Sequence, residues 1–311
     1  MQDNRCTLQL MGTVINIWVK HDTPDNLLND VTAQLIDYEK RFSANDADSE
    51  LMQLNKQAGR HSVKVSKELF ELIKLGKEQS LIADSFLNIA IGPLIKAWRI
   101  GFTDAHYPKE EKIKALLPLV DPTGIHLNDK EQTVYLDKKG MEIDLGALAK
   151  GYFADAVIQF MKEKGATAGY IDLGGNIRTY GSTPGRSGNE WRVGIQNPFL
   201  PRGNYAAVLA IQGQSVVTSG IYERKFEWQG ETYHHIFDDQ TGYPVKTDIA
   251  SITIVSKQSI DGEIWTTRLF GKSAVEAITQ LNRTNGIEGI VITQDGQLAS
   301  SEGLKSRLIL S

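Results

Sequence analysis

The sequence predicts an α+β fold of two intimately packed α/β subdomains, on three observations. Helix-spaced apolar residues dominate the chain before Tyr170. Beyond Tyr170, strand-like runs neighbour one another, with a helical stretch returning only late, rather than alternating one strand to one helix. No Pro/Gly-rich linker, low-complexity segment or repeat of fixed period divides the chain, so residues 1–311 are expected to form one domain.

The elements follow in order. Thr13 to Val19 alternate apolar and polar residues, the pattern of a half-buried strand. Leu27, Leu28, Val31, Leu35, Tyr38 and Phe42 fall at helical spacing, with Pro24 and Asp25 as start signals. A second helix is expected over Lys67 to Gln79, and a third after Pro93, since proline suits a first helical turn. Val134 to Leu145 reads as a hairpin around Lys139-Gly140. It feeds a helix with the stripes Tyr152/Ala156/Phe160 and Phe153/Val157/Met161. Strands are then expected at Tyr170 to Ile177, Tyr205 to Ile211, Ser215 to Thr218 and Ile252 to Val255. A helix over Ala274 to Leu281 and a strand over Gly289 to Thr293 complete the series.

Hydrophobic residues make up 41% and charged residues 23%, an ordinary globular composition with enough apolar mass for a core. The net charge of −4 gives no reason to expect a nucleic-acid or anionic-membrane partner, so a phosphate-bearing ligand has to be held by local groups or a metal. One cysteine, Cys6, excludes an intrachain disulfide. Met1 to Met11 lack a basic-then-apolar signal pattern, and no apolar run approaches the ~18 residues of a membrane span. The expectation is a cytoplasmic protein with no transmembrane segment; an exported or lipid-anchored protein is the alternative if a signal has been trimmed.

Neither a G-x-G-x-x-G turn, a Walker G-x-x-x-x-G-K-[ST] loop nor a G-x-S-x-G elbow is present. Asp46-Ala-Asp48-Ser-Glu50 begins like a calcium loop, but Leu51 stands at the turn-glycine position and Gln57 at that of the bidentate Glu. Three constellations remain. Asp144-Leu-Gly-Ala147-Leu-Ala-Lys150-Gly-Tyr152 lies at the start of a helix, where unpaired N–H groups accept anions and Lys150 can reach a phosphate. It reads equally as a capping Asp followed by a solvated Lys. Tyr233-His-His235-Ile-Phe-Asp238-Asp-Gln-Thr241-Gly places His235 three residues before Asp238, suggesting a base and its orienting partner, or a structural histidine. In Asp261-Gly-Glu263-Ile-Trp-Thr-Thr267, a helix would set Glu263 and Thr267 side by side as hard oxygen ligands for magnesium. The alternative there is a helix start with favourable acids.

The blocks Arg41-Phe-Ser-Ala-Asn-Asp-Ala-Asp-Ser-Glu50, Asn88-Ile-Ala-Ile-Gly-Pro93, Asp144-Leu-Gly-Ala-Leu-Ala-Lys-Gly151, Asp172-Leu-Gly-Gly-Asn-Ile-Arg178, Thr218-Ser-Gly220 and His235-Ile-Phe-Asp-Asp-Gln-Thr-Gly242 occur in that order. The chain thereby resembles the FAD:protein FMN transferases of the ApbE family from Met11-Gly-Thr13 to Leu269. The resemblance implies two packed α/β subdomains with FAD in the cleft between them. Position by position, it implies flavin and adenine contacts from Met11, Asn45, Phe86, Leu87, Asn88, Asp144 and Lys150. Metal ligands would be the backbone oxygen of Ala147 with Glu263 and Thr267, and His235 would be the base. Three departures stand out: the family usually has Asp at Glu263, often has Asp at Asn88 and Tyr at Asn45, and many members are exported lipoproteins.

The implied reaction is magnesium-dependent cleavage of FAD, with FMN passing to a Thr or Ser hydroxyl in a small-residue segment of an acceptor protein and AMP leaving. The rivals are an FAD hydrolase, with water in place of the acceptor, and a flavin-binding protein without turnover.

Overall fold

The computed structural model describes residues 1–183 and 190–310. The hairpin of β1 (Gln2–Leu10) and β2 (Thr13–His21) leads into α1 (Pro24–Phe42), α2 (Glu50–Asn55), β3 (Val63–Lys64) and α3 (Lys67–Ser80). α4 (Gly92–Trp98) and α5 (Glu110–Leu116) precede β4 (Ile125–Asn128), β5 (Thr133–Leu136) and α6 (Ala149–Glu163). Then come β6 (Ala168–Leu173), β7 (Asn176–Tyr180), β8 (Trp191–Gln196), β9 (Tyr205–Ile211), β10 (Ser215–Gly220), β11 (Lys225–Trp228) and β12 (Glu231–His234). The remaining elements are β13 (Ile249–Ser256), α7 (Ser259–Leu269), α8 (Ala274–Arg283), β14 (Glu288–Thr293), β15 (Leu298–Ser300) and β16 (Leu308–Leu310). Among the described residues, no helix is long and apolar enough to cross a membrane.

Eight strands make one antiparallel sheet in the order β1-β2-β6-β7-β10-β13-β14-β15. Its two faces are separated by the period-two alternation of the strands. Ile15, Ile17 and Val19 of β2 pack with Val31 and Leu35 of α1 and Phe153 and Val157 of α6, whereas Trp18 points the other way. There it meets Trp191 of β8, and a three-stranded sheet in the order β16-β9-β8 covers that side with Val193, Ile195 and Leu209. β13 is buried along its full length, because α7 and α8 cover one face and the small sheet the other. A separate cluster joins Leu94 and Trp98 of α4 to Ile113 of α5 and Phe237. The Trp98 indole donates to the Gly242 carbonyl at 3.0 Å, docking the loop after β12 onto α4.

Most expected elements form, including the helix over Glu263 and Thr267, and all six apolar residues named for α1 are buried. Two expectations are corrected. Val134 to Leu145 is not a hairpin: β5 pairs instead with β4 and β3, and Met141 to Leu145 run extended without a ladder. The backbone of that stretch is satisfied elsewhere, as every buried backbone group must be. The Asn55 side chain accepts from the Ile143 N–H and donates to its carbonyl, both at 2.9 Å, while the Asp144 N–H donates to the Ile89 carbonyl at 2.8 Å. Tyr170 to Ile177 is not one strand but two, β6 and β7, because Gly174 and Gly175 adopt φ of +67° and +97° and turn the chain back.

Candidate active site

The site is built around the first turn of α6. Asp144 ends the extended stretch, and its Oδ1 accepts the Gly146 N–H at 2.7 Å. Burial raises its pKa above the usual carboxylate value, with the Gly146 N–H and the charge of Arg224 pulling the other way. Leu148 and Ala149 close the first turns on the Leu145 carbonyl. Among the described residues, the Ala147 carbonyl accepts no hydrogen bond, so it is an open oxygen donor at the mouth of the helix. Lys150 stands one turn further on.

Gly151 decides how close α6 comes to α7. A Cβ there would lie 2.7 Å from the Ser259 carbonyl oxygen and 2.8 Å from both Glu263 Cγ and Ile260 Cα, so only glycine admits this contact. The approach brings Lys150 Nζ to 3.3 Å from Glu263 Oε1. Glu263 is buried, and the same Oε1 accepts from Asn176 Nδ2 at 2.8 Å. Asn176 Oδ1 in turn accepts from Ser259 Oγ at 2.5 Å, and Ser215 Oγ lies 2.9 Å from Ser259 Oγ. Thr267 is half-buried one turn beyond Glu263, and its hydroxyl bonds to none of the described residues. One carboxylate and one ammonium therefore meet here, with a hydroxyl one turn along α7 from the carboxylate and an open carbonyl just before α6. Among the described residues no three His, Cys, Asp or Glu cluster as a self-sufficient metal cage. An all-oxygen set with few protein ligands fits magnesium, which keeps waters and shares its shell with substrate phosphates.

His235 enters from the loop after β12. Its ring is half-buried, and Nδ1 sits 3.2 Å from the Arg224 carbonyl. That bond makes Nδ1 the protonated nitrogen of the neutral ring and leaves Nε2 as the free base. The pKa is pushed down to about 4, by burial first and by the nearby Arg224 charge second, so the ring is neutral near pH 7. Lys150 also contributes to that depression, which places the two side chains in one electrostatic neighbourhood. The expected His235–Asp238 pair does not form. Asp238 is spent on its own turn, accepting the Gln240 N–H at 2.8 Å and the Thr241 hydroxyl at 3.1 Å.

The ApbE family model matches residues 11–291. The chain belongs to the ApbE family. A relative from Klebsiella pneumoniae named FAD:protein FMN transferase is 40% identical, covering 99% of this chain and 95% of its own. Another of that name from Treponema pallidum is 35% identical over 96% of this chain and 87% of its own. The crystal structure of the ApbE protein from Thermotoga maritima superposes with a TM-score of 0.88 at 26% identity, covering 98% of this chain and 99% of that one.

The remaining residues singled out by the ApbE resemblance fall into two groups. Asn45 is exposed, and Met11 is held at φ +54° with its N–H on Glu39 Oε1 at 2.7 Å. Leu87 is buried in the core, while Phe86 packs its ring over Gly271. Asn88 is committed to the protein: Nδ2 donates to the Val120 carbonyl at 2.8 Å and to Asp239 Oδ2 at 2.6 Å, and Oδ1 accepts the Ala90 N–H at 2.8 Å. It ties the Asn88–Pro93 block to the His235 loop. Sequence reasoning missed Asn176, Ser259 and Arg224. Asn176 was within reach, as the one hydrogen-bonding side chain after the glycine pair of Asp172-Leu-Gly-Gly-Asn; Arg224 had no such signal.

Proposed function

We propose that this ApbE-family chain is a magnesium-dependent FAD:protein FMN transferase. The observation that carries the reading is the buried Glu263 carboxylate with the Lys150 ammonium 3.3 Å from it at the start of α6; a histidine, neutral near pH 7 and with a free Nε2, stands within the field of the same ammonium. FAD lies with its diphosphate at the open first turn of α6, where unpaired N–H groups favour an anion. Lys150 and Arg224 flank that position as cations suited to phosphate oxygens. Ala147, Glu263 and Thr267 would hold magnesium, which when bound supplies positive charge to the diphosphate oxygens.

An acceptor hydroxyl, from Thr or Ser in a small-residue segment, attacks the phosphorus on the FMN side of the bridge. His235 Nε2 takes the hydroxyl proton, a new phosphoester bond forms, and the bond from that phosphorus to the bridging oxygen breaks. AMP leaves with the electrons of that bond. A depressed pKa makes His235 a weak base in the free enzyme. The incoming phosphates offset the positive charge of Arg224 and Lys150 and restore part of its basicity.

The test is AMP release from FAD with magnesium, with and without a Thr-containing acceptor peptide, alongside in-gel fluorescence of peptide-bound flavin. Transfer predicts AMP and fluorescent peptide in equal amounts, and both stop with a chelator. Peptide-independent AMP release without labelled peptide makes the chain a hydrolase; FAD retained without AMP makes it a flavin-binding protein.

A further inference from the structure

The Asp172–Arg178 block has no part in the chemistry above, yet the Gly174-Gly175 turn sets its Asn176 at the start of β7 against α7. We propose that Asn176 is the positioning residue of the metal site: its amide pins one carboxylate oxygen of Glu263, so that the other oxygen is presented to the cation. The inference rests on the reading of Glu263 as a magnesium ligand and adds a residue to it.

The argument starts from burial. Asn176, Ser259 and Ser215 are each at most 1% exposed and Glu263 is 3% exposed, so each polar group needs a partner. A carboxylate in this position has no proton to give, which fixes the direction of the whole chain of bonds. Asn176 must turn its NH₂ toward Glu263, its Oδ1 therefore faces Ser259, and the Ser259 hydroxyl must donate to it. Ser215 completes the lock, with Oγ 2.9 Å from both Ser259 Oγ and the Ile177 carbonyl. An amide so held cannot rotate without orphaning a buried group.

Lys150 touches the same Oε1 but is held differently. Its side chain is 33% exposed on the first turn of α6, free to swing toward a diphosphate, whereas Asn176 is fixed in the sheet. When Lys150 engages substrate, Asn176 is the donor that still fixes Glu263. The hydrogen bond from Asn176 and the Lys150 contact both fall on Oε1, and among the described residues Oε2 accepts no hydrogen bond. That oxygen is the one left for a cation. Partners that orient a metal ligand from behind typically govern about 10–100-fold in metal affinity.

The experiment titrates MnCl₂ into the full chain and reads free Mn²⁺ by electron paramagnetic resonance, for wild type, Asn176→Leu and Ser259→Ala. Asn176→Leu keeps the approximate shape and removes the donor; Ser259→Ala leaves Asn176 in place but unlocks it, and serves if the first variant does not fold. Expected is one Mn²⁺ per wild-type chain, about 10–100-fold weaker binding in Asn176→Leu and a smaller loss in Ser259→Ala. The magnesium concentration giving half-maximal AMP release should rise by the same factor, with kcat recovered at high magnesium and the KM for FAD unchanged. Equal Mn²⁺ affinity in wild type and both folded variants overturns the proposal, as does a loss of FAD affinity and kcat that high magnesium does not recover. Wild type binding no Mn²⁺ overturns both this inference and the metal site. Wild type binding Mn²⁺ without labelling any peptide overturns transfer alone, while the Mn²⁺ affinities still decide the role of Asn176.

Discussion

The corner where α6, α7 and β7 meet and the rim carried by the loop around β11 and β12 solve opposite problems. In the corner the buried charges are paired: Glu263 has Asn176 and Lys150, and Arg178 pairs with Asp155, which also accepts the Ile260 N–H at the start of α7. At the rim the groups are left open. The Arg224 guanidinium bonds to no described residue, His235 offers a free Nε2, and Trp228 is exposed with Tyr107 stacked on it. A corner whose buried charges are paired suits ligands that must be held in one geometry before substrate arrives. An open rim suits a partner that arrives from solution and brings its own charge. On the proposed function, the corner would hold the metal, and the rim, with Arg224 and His235, would meet the phosphates and the acceptor.

The largest effect should come from the corner. Glu263→Ala removes the carboxylate read as the metal ligand and leaves Lys150 and Asn176 without their acceptor, so FAD turnover is expected to fall at least about 10³-fold. Lys150 is one-third exposed and can rehydrate, so the fold should survive, as circular dichroism would check. Turnover within a few-fold of wild type would take Glu263 out of the chemistry.

His235→Ala comes next. Loss of a positioned base costs roughly 10²–10⁴-fold in transfer rate. FAD affinity should change little, because the base needs no contact with the ground-state diphosphate. Since the neutral ring is the active form and its pKa is about 4, wild-type kcat/KM should fall as pH drops through that value and stay flat above it. The variant should lack that limb. Lost FAD affinity with normal transfer at saturating FAD would make His235 a binding residue.

How much of this was legible in the sequence follows the same division. The corner's charged groups stand out locally, because Glu263 and Thr267 are one helical turn apart and Lys150 sits in a recognisable helix start. Their partners do not: Asn176 and Glu263 are 87 residues apart, and only the fold of the sheet brings them together. At the rim, His235 was visible but its partner was not, since a backbone carbonyl 11 residues away has no side-chain signature. Asp238 looked suitable by spacing and is consumed by its own turn. The failed hairpin at Val134 to Leu145 has the same cause, because the side chain of Asn55 replaces the strand that periodicity led one to expect.

Lys150 belongs to the corner by contact and to the rim by exposure, so its variants show which description governs it. Lys150→Ala should weaken FAD binding about tenfold, the scale of one charge-assisted contact to phosphate. Lys150→Arg should lose less, since charge is kept while the compact ammonium is not. Equal affinity and turnover for wild type and Lys150→Ala would mean a solvated lysine.

The smallest effect tests the rim most selectively. Arg224→Gln keeps the backbone carbonyl that orients His235, so only the guanidinium is lost. Two consequences should separate. FAD affinity should fall a few-fold, about 1 kcal/mol for an exposed cation on a phosphate, while riboflavin, which carries no phosphate, binds as before. The Arg224 charge also lowers the His235 pKa, after burial the largest cause. Removing it makes protonation easier, so the pKa rises from about 4 toward the ordinary value, though burial still holds it below. The acid limb of kcat/KM should therefore move to higher pH: the variant loses activity sooner on acidification, yet matches wild-type kcat near neutrality. A limb that stays in place while FAD affinity falls would leave Arg224 as a phosphate contact too far from His235 to tune it. A limb that moves while FAD affinity holds would confine Arg224 to the base. Only both together make Arg224 the residue that couples phosphate binding to the strength of the base.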